Sequence, residues 1–290
     1  MGQAGGLPRA KAPMKRSPSS PAGSPLAGPA SPRTFAVGRG AQIVVLPTPS
    51  GRAGQGSRSR RGGPPSLTST GAAAVGVVAL QLWITGGTAA EGPDEHGCAH
   101  LLEHMLFKPT HAGIDLAAAV ETLGGDVNAF TSHDETVVHV TVPSGREGAA
   151  VDALLDAVLR PALTAEAVAT ETGVVVEEIR QYDDDPGACA TQALVEALYG
   201  RHPYARPVLG TASEVRGHDA TRLRRFHHRV YAARRARLVV VGPVDVDALV
   251  ARARPWLEAL PRGRALDDGE PVTVPLSRAR VRVHRADVHE

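Results

Sequence analysis

Cysteine is nearly missing: the 290 residues contain two, Cys98 and Cys189. That excludes a small secreted scaffold stapled by a disulfide framework. Aromatic residues make up only 3%, too few for the stacking platforms that hold single-stranded nucleic acids. No apolar run approaches the roughly 20 residues of a membrane-spanning helix, so no membrane span is expected. Acidic residues are missing from the first 75 positions, which carry ten Lys and Arg. Beyond Val75 the balance reverses to 22 basic against 30 acidic residues. The formal charge of +2 therefore hides a basic N-terminal part and an acidic body. A nucleic-acid partner calls for basic residues on the folded part, and they are not there.

What is present divides the chain. Residues 1–33, rich in Pro, Ser, Ala and Gly, have almost nothing to bury and read as a disordered basic extension. A signal peptide needs an unbroken apolar stretch, and prolines interrupt Ser17 to Pro32. With few cysteines as well, the cytoplasm is the favoured compartment. Residues 48–72 read as a flexible insertion. Strands are expected at Ala41–Leu46, Val75–Thr85, Val127–Thr131, Glu135–Val142 and Ala236–Val241. Helical patterns fall at His96–Phe107, Asp115–Leu123, Arg146–Leu159, Thr164–Tyr182, Ala188–Tyr199, His218–Tyr231 and Val246–Leu260. Strands separated by helix pairs imply an α/β (α+β) domain, a mixed β-sheet flanked by helices, over residues 34–260. Past Pro261 the sequence turns into a polar linker, and Ala279–His284 starts a strand with no downstream partner. Residues 261–290 thus read as a linker and the start of a truncated second domain.

The informative segment runs from His96 to Phe107 and contains H-x-x-E-H at His100, Glu103 and His104. On a helix these positions share one face. Two imidazoles one turn apart can bind a single metal, and the carboxylate between them can reach the metal's water. This is the HExxH arrangement reversed. Chance supplies about 0.03 such patterns in a chain of this composition, counted against the template. Apolar neighbours Leu101, Leu102, Met105 and Leu106 imply burial, which is costly for two imidazoles and a carboxylate without partners. A catalytic zinc needs a third protein ligand. Glu171 and Glu178 lie two turns apart on one later helix, while Glu177 is rotated by about 100° from Glu178. A face with two carboxylates suits one ligand and one supporting acid. Cys98 reads as a small buried thiol, His227-His228 as a surface pair, and Trp83 and Trp256 as core.

Five ordered blocks are similar to the pitrilysin and mitochondrial processing peptidase family of zinc endopeptidases. They are Gly97–Thr110 (GCAHLLEHMLFKPT), Gly124–Thr136 (GGDVNAFTSHDET), Val174–Pro186 (VVVEEIRQYDDDP), His202–Thr211 (HPYARPVLGT) and Leu238–Asp245 (LVVVGPVD). The resemblance implies that one zinc ion is bound by His100, His104 and Glu178, that Glu103 is the general base, and that Glu171 is the supporting acid. It further implies that Asn128 and Ala129 hold a peptide or unfolded protein as an added strand, a mode that reads backbone more than sequence. Pro109 departs from the family, which usually has Gly there. Family members also carry a second, similar domain that closes over the first and contributes substrate-binding groups. The expected activity is therefore zinc-dependent peptide hydrolysis. The alternative is an incomplete, metal-bearing peptide-binding subunit that needs a partner subunit or the missing C-terminal domain.

Overall fold

A computed structural model describes residues 31–49 and 76–264. Most of the 1–33 extension and of the 48–72 insertion lie outside the described residues, as do residues 265–290 with the strand expected at Ala279–His284.

The described fold opens with β1 (Arg33–Val37) and β2 (Ala41–Pro47), joined by a turn in which Gly38 and Gly40 take φ of 53° and 127°. Then come β3 (Val77–Thr85), α1 (Cys98–Met105), α2 (Leu116–Thr122), β4 (Asp126–Thr131) and β5 (Glu135–Pro143). Five helices follow: α3 (Glu147–Leu159), α4 (Ala165–Asp184), α5 (Pro186–Tyr199), α6 (Ala212–Arg216) and α7 (Ala220–Val230). Strand β6 (Ala236–Gly242) and helix α8 (Val246–Glu258) complete the described fold.

The strands form one sheet in the order β1-β2-β6-β3-β5-β4. Among the described residues only β2 and β6 pair in parallel; the other neighbours are antiparallel. This is the mixed sheet expected. Strand β6 enters late yet sits centrally, between β2 and β3, so the C-terminal part closes what the N-terminal part began. Strand β4 is left at an edge. Along β3, Val78, Leu80, Leu82 and Ile84 are buried while Ala79, Gln81, Trp83 and Thr85 are half-buried. That period of two gives the sheet one face to pack helices on. Helix α3 packs against β3 and β5 and buries Val151, Leu154, Leu155 and Val158, while α7 turns its buried stripe of Leu223, Phe226 and Val230 to the core beside α1.

Helix boundaries follow local chemistry. Thr164 caps α4 by accepting the Ala167 N–H at 3.2 Å. Pro186, which cannot continue a helix, separates α4 from α5, and Asp185 accepts the Gly187 and Ala188 N–H groups at 2.7 and 3.0 Å.

Three features differ from the sequence reading. Strand β1 has no counterpart in it, because only Val37 is fully buried and Phe35 half-buried against the core, too short an apolar pattern to mark a strand. Trp83 and Trp256 are half-buried rather than core; Trp256 lies under the Arg160 guanidinium, 4.1 Å from the ring centre. His227 is half-buried, its Nε2 donating to the Val158 carbonyl at 2.9 Å, so only His228 of that pair is exposed. Cys98 is fully buried, as expected.

Candidate metal centre

The centre begins with how α1 is started. Gly97 holds φ 84° and ψ 0°, a left-handed conformation that L side chains avoid. A Cβ there would lie 2.8 Å from both the Leu209 carbonyl oxygen and Val215 Cγ2. The next free backbone donors are taken by the buried Glu91, whose carboxylate accepts Gly97 N–H at 3.2 Å and Ala99 N–H at 2.8 Å. Burial pushes the Glu91 carboxyl up to about 8, against the pull of those two hydrogen bonds. His218 Nε2 donates to the His96 carbonyl at 2.7 Å, fixing the segment just before the helix.

Helix α1 then buries Leu101, Leu102 and Met105, each such side chain contributing roughly 1.5–3 kcal/mol. The opposite face turns His100, Glu103 and His104 toward α4. His100 Nε2 lies 3.8 Å from Glu178 Oε1, and His104 Nε2 lies 3.4 Å from Glu178 Oε2. One donor atom from each of His100, His104 and Glu178 falls within 4.8 Å of the others. The two imidazoles meet edge to face, 4.8 Å between centres.

These separations fit a small divalent ion. Tetrahedral bonds of about 2.0–2.2 Å place neighbouring donors about 3.3–3.6 Å apart, close to the two distances measured to Glu178. The donor set of two nitrogens and one carboxylate oxygen suits zinc. Burial, reinforced by the neighbouring His104, pushes the His100 imidazole down to about 4. It is therefore neutral near pH 7, the form that donates a lone pair to a metal. Glu103, between the two histidines, has Oε2 buried without a hydrogen-bond partner among the described residues. Burial raises its carboxyl above the ordinary range, opposed by a hydrogen bond from Thr131.

Glu171 is buried behind His104, with Oε2 3.4 Å from His104 Nδ1. Its other oxygen meets Lys108 Nζ at 2.6 Å. The sequence reading misses Lys108, although it stands one helical turn past His104. Glu177 points away and pairs with Arg180. Asn128 and Ala129 are not in the donor cluster; they lie on the edge strand β4, where Asn128 Oδ1 accepts the Ala129 N–H at 2.8 Å.

A family model described as Insulinase (Peptidase family M16) matches residues 70–212, and another, Peptidase M16 inactive domain, matches residues 219–290. This chain belongs to peptidase family M16. Its H-x-x-E-H helix and Glu171 and Glu178 of α4 fall inside the first M16 match. The second match begins just before α7 and includes β6, which completes the same sheet. Among similar proteins, an uncharacterized zinc protease of Mycobacterium tuberculosis is 39% identical over 194 residues, covering 66% of this chain and 44% of that protein. An uncharacterized zinc protease of Bacillus subtilis is 32% identical over 206 residues, 69% of this chain and 50% of that one. The chain thus spans about half the length of the curated relatives it matches. Among solved structures, a protease from Helicobacter pylori shares the fold at a TM-score of 0.68 and 21% identity, over 85% of this chain and 54% of that chain. The first half of the periplasmic protease PqqL from Escherichia coli aligns at 0.66 and 25% identity, over 85% of this chain and 49% of the other.

Proposed function

We propose that this chain carries the metal-binding part of a zinc endopeptidase, with His100, His104 and Glu178 as ligands of one zinc ion and Glu103 as general base. The observation that carries the reading is the meeting of two imidazoles and one carboxylate within 4.8 Å, in a member of a peptidase family whose relatives are named zinc proteases. When bound there, zinc polarises a scissile carbonyl and lowers the pKa of water to about 7.

The chain's own groups supply the rest. The unpartnered Glu103 carboxylate oxygen is available to take a proton from the attacking water and to deliver it to the leaving amine. Glu171 orients His104 through Nδ1, as carboxylates behind metal-binding imidazoles do, and Lys108 holds Glu171. Among the described residues, strand β4 has no strand beyond it in the sheet. A peptide laid along it at Asn128 and Ala129 would take over the Ala129 N–H now held by the Asn128 side chain. In this reading residues 34–260 are the metallopeptidase domain.

A second reading is a metal-bearing, peptide-binding subunit that hydrolyses only when a partner supplies the rest of the cleft. The "inactive domain" description over residues 219–290 favours it. Purified chain incubated with an unstructured peptide separates the two. Cleavage that a chelator abolishes and zinc restores supports the first; zinc and peptide binding without cleavage supports the second. A folded chain that takes up no zinc contradicts both.

A further inference from the structure

We propose that Lys108 is a positioning residue that sets how tightly the chain binds zinc, by clamping Glu171 behind His104; this rests on His100, His104 and Glu178 being the ligands. Helices α1 and α4 supply those ligands, and two bridges join them. One lies inside the centre, where His104 Nε2 is 3.4 Å from Glu178 Oε2. The other lies outside it, where Lys108 Nζ meets Glu171 Oε1 at 2.6 Å. Four residues separate His104 from Lys108 and seven separate Glu171 from Glu178, spacings that keep each pair on one side of its element.

The clamp has a fixed base. The Lys108 N–H donates to the Met105 carbonyl at 3.2 Å, which continues the last turn of α1. Two residues on, the buried Thr110 hydroxyl donates to Asp156 Oδ2 of α3 at 2.7 Å. The Lys108 side chain therefore leaves a backbone that is anchored on both sides.

The two oxygens of Glu171 have different tasks. Oε1 takes a charge-assisted hydrogen bond from Lys108, and Oε2 stands 3.4 Å from His104 Nδ1. An ionised carboxylate only accepts, so the facing Nδ1 keeps its proton and the Nε2 lone pair is directed to the side of Glu178. Glu171 is buried, and among the described residues no other Lys and no Arg pairs with it. Without Lys108, that buried carboxylate has no full counter-charge and nothing to hold Oε1. It is then free to turn, and the His104 ring loses the group that fixes its orientation. The H-x-x-E-H motif ends at His104 and contains none of this; the clamp is made by the turn after α1 and by α4.

The test is the zinc affinity of the full chain, read by competition with a chromophoric chelator, with folding of each variant checked by circular dichroism. Lys108→Met keeps the length and apolar stem of the side chain and removes its charge; Lys108→Arg keeps the charge. Zinc binding should weaken about 10–100-fold in Lys108→Met, the range typical for groups that orient a metal-binding imidazole, and stay near wild type in Lys108→Arg. In a Glu171→Gln background, which has no charge left to clamp, adding Lys108→Met should weaken zinc binding no further. A merely structural lysine would carry its full effect into that background. Wild-type affinity in Lys108→Met, or an undiminished loss when it is added to Glu171→Gln, overturns the proposal. If Lys108→Met does not fold, Lys108→Gln takes its place in the same comparison. A folded wild-type chain that takes up no zinc overturns the metal reading and this proposal with it, whereas equal affinities of wild type and Lys108→Met overturn the proposal alone.

Discussion

Replacing Gly97 by alanine should damage both the fold and the metal centre, and the size of the effect can be worked out from its surroundings. The residue sits at φ 84°, where a non-glycine side chain costs roughly 1–2 kcal/mol. Its new Cβ would lie 2.8 Å from the Leu209 carbonyl and from Val215 Cγ2, inside contact distance. Forcing a methyl into packed atoms adds typically about 1–3 kcal/mol. Neither side can yield easily, because Gly210, at φ 72°, is itself pressed against the backbone of His96 and Gly97. The expected loss is about 2–5 kcal/mol, a large share of the roughly 5–15 kcal/mol that holds a domain folded. Gly113 provides the control: it has φ 76°, but a methyl added there would meet nothing within 4 Å. Gly113→Ala should therefore cost only the backbone part, about 1–2 kcal/mol. Urea unfolding of the two variants and wild type reads the difference directly. Zinc binding should weaken in Gly97→Ala alone, since His100 lies three residues further along the helix. A Gly97→Ala midpoint no lower than that of Gly113→Ala would refute the reasoning.

Other expectations can be checked alongside. Burial holds the Glu91 carboxyl up to about 8 in the folded chain, against an ordinary 4.5, so its stabilising contribution is complete below about pH 4.5 and is lost as pH rises through 8. Between pH 5 and 9 wild type should therefore lose on the order of 4 kcal/mol more than Glu91→Gln in urea titrations, and parallel curves would contradict this. Glu103→Gln should retain zinc and lose about 10²–10⁴ in turnover, whereas Glu178→Gln should lose zinc; a Glu103→Gln variant with the wild-type rate removes Glu103 as the base. Asp156→Ala should cost about 2–3 kcal/mol, because it leaves the buried Thr110 hydroxyl, now 2.7 Å from Asp156 Oδ2, without its acceptor. Differential scanning calorimetry would show that loss as a lower melting temperature, and an unchanged one would count against it.

How much of the fold and the site is legible in the sequence depends on the range of the interactions. His100, Glu103 and His104 are legible because one helix brings them together through a spacing of three and four residues. Glu171 and Glu178 can be placed on one face by the same arithmetic. That this face meets α1 is a long-range fact, which periodicity does not contain. Strand identities are readable where alternation is strong, as in β3, and not in β1, where one residue of five is buried. The central position of β6 is invisible in the sequence, since sheet order is decided by which edge is open when the strand arrives. Lys108 has a local signal, its place one turn after His104. His227 reads as a surface residue for lack of acidic neighbours; its partner is a backbone carbonyl of α3, which carries no side-chain signature.

The most direct test of the account is to quantify metal in the folded chain and to record its zinc X-ray absorption spectrum. The account predicts one zinc per chain, surrounded by two imidazole nitrogens and a carboxylate oxygen, and lost from Glu178→Gln. A folded chain that holds no zinc when it is supplied, or holds it through sulfur, would contradict the central claim.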